Sequence, residues 1–215
     1  MNKIIAHRGI HNEKIKENTY LAISNALNNN KIIGVEFDIR LTKDNYIVII
    51  HDSYINRTSN GSGKVEQMKL KELQKYNYGT KNFYQSIVTL DKILKLNSNK
   101  IILIEVKIDN NELEFSKILK KEITKYNNKN IYITSFSKKF LKYFYKVKNI
   151  KIGPIIFNNN IRNTRYDFYI LNYLTLKKNT ITKLKKRNKQ IFIWSLIDNY
   201  VNNIDDVYLI KNTNY

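Results

Sequence analysis

GVEFDIR, residues 34–40, decides how this chain folds. In an extended strand successive side chains point to opposite faces. Val35, Phe37 and Ile39 therefore share one face, while Glu36 and Asp38 share the other. The apolar face is expected to pack under helices, which turns the two carboxylates into the interior of a barrel. Uncompensated charge in such a place is very costly, so something cationic should sit between them.

IILIEVKI (101–108) repeats the pattern, with Glu105 and Lys107 on one face near the end of the run and Val106 and Ile108 on the other. Further strand-like runs, rich in Ile, Val, Phe and Tyr, lie at 3–6, 46–50, 130–135, 151–156, 167–171 and 190–194, with a weaker one at 207–210. Helix-length amphipathic segments separate most of them, including ENTYLAISNALNNN, TLDKILKLN, ELEFSKILKKEITKYN, KKFLKYFYKV and LKKNTITKLKKRN. Thr89-Leu90-Asp91 and Ser137 read as helix starts. Strands alternating with helices predict a parallel sheet with right-handed crossovers. About eight such units in 215 residues predict the α/β class and a (β/α)8 TIM barrel. Two features resist that pattern. The runs number nine, one too many for a plain barrel, and RLTKDNY (40–46) is too short for a crossover helix, so an extended loop or a hairpin is expected there. The polar stretch 53–86, with Gly61 and Gly63, is expected as a small insertion after the third strand. With no Pro/Gly-rich linker and no internal repeat, residues 1–215 are expected to form one domain.

Cysteine is absent, which excludes a disulfide framework and thiolate chemistry. No apolar window is long enough to span a membrane, and Ile4-Ile5-Ala6 runs straight into His7-Arg8 without a signal-peptide core. A cytoplasmic protein is expected. The net charge of +20 has two readings. Heavy use of Lys, Asn, Ile and Tyr is what an A/T-rich genome produces, and the same charge would attract a phosphate-bearing partner. Apart from KLKKRNK (183–189) the lysines are scattered, and no aromatic-basic stacking pattern points to nucleic acid.

Two of the three histidines end strand-like runs: His7 in MNKIIAHRGI (1–10) and His51 in YIVIIHDS (46–53). Imidazole titrates near neutrality, which suits acid–base work, and barrel active sites lie at the C-terminal ends of the strands. Glu36, Asp38 and Glu105 form a hard-oxygen set suited to Mg²⁺ or Ca²⁺ rather than zinc or copper. The same residues admit a buried Glu36–Lys107 or Asp38–Arg8 salt-bridge network without metal. His11 follows no strand and is read as a solvated loop residue.

In order along the chain, His7-Arg8-Gly9, Glu17-Asn18-Thr19, VEFDIRLTKD (35–44), His51-Asp52 and IEVK (104–107) resemble the signature of the glycerophosphodiester phosphodiesterases. RTSNGSGKV (57–65), TLDKIL (89–94), TSF (134–136) and IFIWSL (191–196) extend the resemblance over nearly the whole chain. It implies a barrel of the phosphatidylinositol-phospholipase-C-like type and metal-dependent hydrolysis of a glycerophosphodiester to glycerol 3-phosphate and an alcohol. Glu36, Asp38 and Glu105 would ligate Mg²⁺ or Ca²⁺. His7 and His51 would be the acid–base pair, and Arg8 and Lys107 would hold the phosphate. Glu17 would orient Arg8 or His7, and Trp194 would be a platform at the barrel mouth. Lys16, Ile197 and the ending VYLIKNTNY (207–215) depart from the family pattern and leave the alcohol group open. Two other functions compete: a lysophospholipase D or sphingomyelinase D-like lipid phosphodiesterase, aided by basic contact with an anionic membrane, and a non-catalytic basic phosphate-binding barrel.

Overall fold

In chain order the elements are β1 (Lys3–Ile10), α1 (Tyr20–Asn28), β2 (Gly34–Leu41), β3 (Ile47–Ile49), α2 (Leu70–Leu73), β4 (Val88–Thr89), α3 (Leu90–Leu94), β5 (Ile101–Val106), α4 (Glu112–Thr124), β6 (Ile131–Ser135), α5 (Lys138–Lys142), β7 (Ile150–Ile156), β8 (Phe168–Asn172), α6 (Lys178–Lys185), β9 (Gln190–Trp194) and β10 (Tyr208–Thr213). They come from a computed structural model that describes residues 3–126, 130–157, 161, 165–194 and 207–213. Eight strands, β1, β2 and β5–β10, pair in parallel around a closed ring, and the β1–β10 pairing completes the circle. The expected barrel is therefore present.

The inner and outer faces follow the alternation in the sequence. Val35, Phe37 and Ile39 are fully buried against the helical layer, in one cluster with Ile23 and Ala26 of α1 and Phe115 and Leu119 of α4. A second cluster fills the barrel: Ile5, Leu103, Tyr132, Ile155, Phe168, Ile170, Phe192 and Ile210. Phe192 packs there against Phe168 at 5.2 Å and stacks on Tyr208 at 4.6 Å between ring centres. Gly153 makes room for this filling, since a Cβ at its position would lie 2.3 Å from the Phe168 carbonyl oxygen and 2.5 Å from its ring.

The surplus strand is the third run. β3 is not a barrel strand. It folds back antiparallel on β2, pairing Ile39 with Ile49 and Leu41 with Ile47, and then pairs with β4. The short connection forces this, and Asn45 at its tip adopts a left-handed φ of 65°, which asparagine tolerates well. The weak run at 207–210 is the true eighth strand, β10. The insertion is accordingly larger than the expected 53–86. It leaves the barrel after β2, includes β3 and β4, and has a core of its own built from Val48, Ile50, Ile55, Val65, Leu73, Tyr78 and Ile87.

The five expected helical segments correspond to α1 and α3–α6. The Ser137 hydroxyl accepts from Phe140 N at 3.1 Å at the start of α5, as a good N-cap does. Thr89 precedes α3 without a side-chain cap. Thr19 caps α1 by accepting from Ala22 N at 3.3 Å, which fixes Asn18 and Glu17 at the barrel mouth.

Candidate active site

His7 does not end its strand, because β1 runs on to Ile10 through a bulge that shifts the register with β10 between Ala6 and Ile10. Arg8 and Gly9 both have positive φ, 56° and 85°. Gly9 is required there, because a Cβ would fall 2.5 Å from the Ala22 backbone. Arg8 bears the strain, of order 1–3 kcal/mol for such a residue. Hydrogen bonds hold it in place: its N–H donates to Glu36 Oε2 at 3.1 Å and its carbonyl accepts from Asn18 N at 3.0 Å. The bulge aims the guanidinium at two carboxylates, with Nη1 donating to Glu17 at 2.8 Å and Nε 3.4 Å from Asp38. His7, just before it, remains on the inner face.

Glu36 and Asp38 are buried at the mouth, as the alternation of β2 requires. Lys107 lies 3.3 Å from Asp38 and pairs with Glu105. Asn18 Nδ2 donates to Asp38 Oδ2 at 2.9 Å. The expected cation between carboxylates is thus Lys107, but it joins Asp38 to Glu105 rather than meeting Glu36. The Asp38–Arg8 contact is present. Burial raises Glu36 well above the usual carboxylate range, and the charges of Asp38 and Glu105 add to the effect. Burial, then Asp38, also raises Glu105. At Asp38 burial acts upward, but Lys107 and Arg8 outweigh it and hold the group low.

These three carboxylates could hold a metal. One oxygen from each lies within 4.8 Å of the others, and buried Asp38 Oδ1 receives no hydrogen bond. Three carboxylates face two cations, so the cluster is short of positive charge. A divalent cation with a preference for oxygen fits that donor set.

The hairpin brings His51 to this cluster. β3 runs back down the outside of β2 until Ile50 N donates to Asp38 O at 3.0 Å, and His51 follows at the level of the carboxylates. It reaches the mouth because its strand is antiparallel, not because it ends a barrel strand. His51 Nδ1 donates to Asp52 Oδ1 at 2.6 Å, and Arg57 Nε donates to Asp52 Oδ2 at the same distance. Arg57 also donates to Glu17 Oε1 at 2.8 Å. One guanidinium from the insertion therefore ties the support of His51 to the support of Arg8. His7 is held similarly, with Nδ1 donating to Asn212 Oδ1 at 2.9 Å and Nε2 3.8 Å from Glu36. Both imidazoles thereby keep Nε2 as the unprotonated nitrogen of the neutral ring. Burial lowers the pKa of both, with Arg8 adding to the effect at His7, while Asp38 and Asp52 oppose it at His51.

A pocket of about 140 Å³ opens onto these groups. His7, Arg8, His51, Lys107, Glu36 and Glu105 line one side, and Phe136, Trp194 and three isoleucines line the other. All nine residues singled out in the sequence come together at or around it: Asp38 lies beneath and Glu17 behind Arg8. Trp194 lines the same pocket. His11 lies in a loop as expected but is not solvated. It is half-buried, its N–H donates to Thr213 O at 3.2 Å, and burial lowers its pKa. Sequence reasoning gave no role to Asn18, Asp52, Arg57 or Asn212. The first three sit inside the quoted motifs, a signal that was available, whereas Asn212 has none. Ile197 lies outside the described residues.

Comparison with known proteins gives the family and the fold. The model of the glycerophosphoryl diester phosphodiesterase family matches residues 7–213. A glycerophosphodiester phosphodiesterase of Caldanaerobacter subterraneus subsp. tengcongensis is 29% identical over 90% of this chain and 85% of its own length. A phosphodiesterase from Oleispira antarctica, solved in complex with the product sn-glycerol-3-phosphate, superposes with a TM-score of 0.83 over 96% of this chain and 92% of that one, at 19% identity. A glycerophosphodiester phosphodiesterase of Thermotoga maritima superposes with a TM-score of 0.77 at 25% identity, covering 98% of this chain and 94% of its own. Because that family model spans residues 7–213, nearly the whole chain, the chain belongs to the glycerophosphoryl diester phosphodiesterase family.

Proposed function

We propose that the protein hydrolyses glycerophosphodiesters to glycerol 3-phosphate and an alcohol, with His7 and His51 as the acid–base pair. The observation that carries this reading is that both imidazoles, each with Nδ1 already committed, open onto one pocket beside Arg8 and Lys107. A phosphodiester is an anion and repels a nucleophile. Arg8 and Lys107 hold it and offset the charge that grows as oxygen attacks phosphorus. One imidazole, neutral, takes the proton of the attacking hydroxyl or water at Nε2, while the other enters the step as the imidazolium and gives its Nε2 proton to the leaving alkoxide. Each transfer contributes about 10²–10⁴-fold. Glu36, Asp38 and Glu105 would hold a divalent cation, Mg²⁺ or Ca²⁺, which supplies further positive charge to the phosphoryl oxygens. Glu17 keeps Arg8 extended toward the substrate, and Trp194 walls the opposite side.

The vicinal glycerol hydroxyl is a ready first nucleophile. Its oxygen bonds to phosphorus as the alcohol's P–O bond breaks, and water then opens the cyclic phosphate. A deoxy analogue lacking that hydroxyl should bind and turn over poorly, and normal turnover of the analogue would exclude the cyclic route. The test of the overall reading is release of glycerol 3-phosphate from glycerophosphocholine and glycerophosphoethanolamine with Mg²⁺, Ca²⁺ or EDTA, for wild type and His51→Ala. Metal-dependent release lost in the variant is expected. Release that persists in EDTA or in His51→Ala refutes the corresponding part.

A further inference from the structure

At about 140 Å³ the catalytic pocket falls short of the roughly 300–1,000 Å³ usual for a small-molecule site, so part of a diester held there must lie elsewhere. A second pocket, of about 550 Å³, opens between the β1–α1 loop and the insertion. Glu17 and Arg57 line it, and their contact of 2.8 Å forms the wall between the two pockets. On the other side of that wall Glu17 receives Arg8, and Arg57 holds the Asp52 that supports His51. Arg8 and His51 line the catalytic pocket. The second pocket therefore begins one ion pair away from the groups assigned to the phosphate.

The two linings differ. Among the described residues no aliphatic side chain and no phenyl, phenol or indole ring lines the second pocket. Its walls are held in place by their own hydrogen bonds. Asn77 Oδ1 accepts from Gly79 N at 2.8 Å and from Gln85 N at 3.0 Å, and Asn77 N donates to Asn60 Oδ1 at 2.8 Å. Asn12 Oδ1 accepts from Lys14 N at 2.9 Å and from Ile15 N at 3.0 Å. These bonds consume acceptors and leave donors. The Nδ2 groups of Asn12 and Asn60 have no hydrogen-bond partner, and Lys16 and Lys81 no ion-pair partner, among the described residues. The Thr58 hydroxyl in the same wall is also without a partner. Glu17 is the one carboxylate among the lining residues, and Arg8 and Arg57 already occupy it. A donor-rich wall with surplus positive charge suits the hydroxyl oxygens of a polyol. It repels a choline or ethanolamine group, whose cation is held by aromatic faces or free carboxylates. We propose that this second pocket is the subsite for the alcohol half of the diester, and that it takes an uncharged polyol of about the size of a cyclitol or hexose. The proposal rests on the phosphodiesterase reading above. Lys16 is one of the residues at which the sequence departs from the family pattern, so this wall is a feature of this chain.

The test is release of glycerol 3-phosphate from three diesters: glycerophosphoinositol, glycerophosphocholine and the methyl ester of glycerol 3-phosphate. The inositol and methyl diesters carry the same charge, so their comparison isolates the polyol. In wild type the KM for the inositol diester should lie roughly tenfold below that for the methyl diester, the worth of one or two hydrogen bonds. The KM for glycerophosphocholine should be no lower than that for the methyl diester. Lys16→Ser with Lys81→Ser should shrink the tenfold preference to under about threefold. Lys183→Ser with Lys186→Ser, which removes the same charge from exposed positions around α6, should leave the preference intact. Equal KM values for the three diesters in wild type would overturn the proposal, as would a preference that survives Lys16→Ser with Lys81→Ser. An equal loss in the α6 variant would also overturn it, since net charge alone would then explain the preference. Release from all three diesters without preference refutes the subsite alone, whereas release from none refutes the phosphodiesterase reading and the subsite with it.

Discussion

Replacing Asp52 by alanine separates support of catalysis from support of the fold. In the structure His51 Nδ1 donates to Asp52 at 2.6 Å, and Arg57 holds that carboxylate through contacts of 2.6 and 3.1 Å. The side chains of His51, Asp52 and Arg57 are 33%, 29% and 49% exposed, so solvent screens the pairs. Exposed ion pairs of this kind contribute about 0–1 kcal/mol. In a chain of this size the melting temperature should fall by no more than about 2–4 °C. Activity should respond far more. Without its acceptor the imidazole can rotate, and Nε2 is no longer held toward the pocket in the form that exchanges the proton. Losing a group that orients a working histidine typically costs about 10–100-fold, equivalent to roughly 1.4–2.7 kcal/mol of transition-state stabilisation. The loss should appear in kcat, with KM little changed, because Arg8 and Lys107 remain in place to bind the phosphate. The assay is release of glycerol 3-phosphate from glycerophosphocholine at saturating metal, paired with a thermal melt. Asp52→Asn keeps one acceptor oxygen but sets its amide NH2 against the Arg57 or the His51 donor, so it should recover only part of the loss at most. A kcat for Asp52→Ala within threefold of wild type would refute the orienting role.

Other substitutions test the fold and the carboxylate cluster. Phe192→Ala removes a fully buried ring from the barrel filling and should cost about 3–5 kcal/mol, which lowers the melting temperature by roughly 6–20 °C; a shift under about 3 °C would mean that the interior collapses around the gap. Glu36→Gln replaces a buried carboxyl that burial and its acidic neighbours push toward the neutral form, so the metal-free melting temperature should hold or rise while Mg²⁺ and Ca²⁺ affinity in a calorimetric titration falls at least about tenfold; unchanged affinity would remove Glu36 from the ligand set. The hydrogen bond from Arg57, with help from His51, holds the Asp52 pKa well below the ordinary aspartate value of about 3.9. With the folded-state pKa depressed, the pair's contribution is full above that ordinary value and is lost only as pH falls through the lower folded one. The Asp52 carboxyl carbon should therefore not titrate in NMR spectra between pH 5 and 3, and a midpoint near 4 would show that the pair is absent in solution.

Much of the site was readable because strand geometry is local. Alternation alone put Glu36 and Asp38 on one face and Val35, Phe37 and Ile39 on the other, and both assignments hold. It did the same for Glu105 and Lys107. The misplaced elements were those whose identity depends on partners. The run at 46–50 has the composition of a barrel strand yet pairs antiparallel outside the barrel, while the weaker run at 207–210 closes the ring. Pairing direction depends on the length of the connection and on which edge remains free, and hydropathy carries neither.

What the sequence determined by itself was the fold class and the two faces of β2 and β5, with their carboxylates and lysine on one side. These follow from a backbone period of two and from side-chain chemistry, both present at the level of single segments. The tertiary structure decided how they meet. Asn212, 205 residues along the chain from His7, fixes that imidazole only because β10 lies beside β1. Arg57 joins Asp52 to Glu17 only because the insertion folds back over the mouth on its own small core. Such polar contacts have no periodicity to mark them, and ring closure together with packing of the excursion sets their distances.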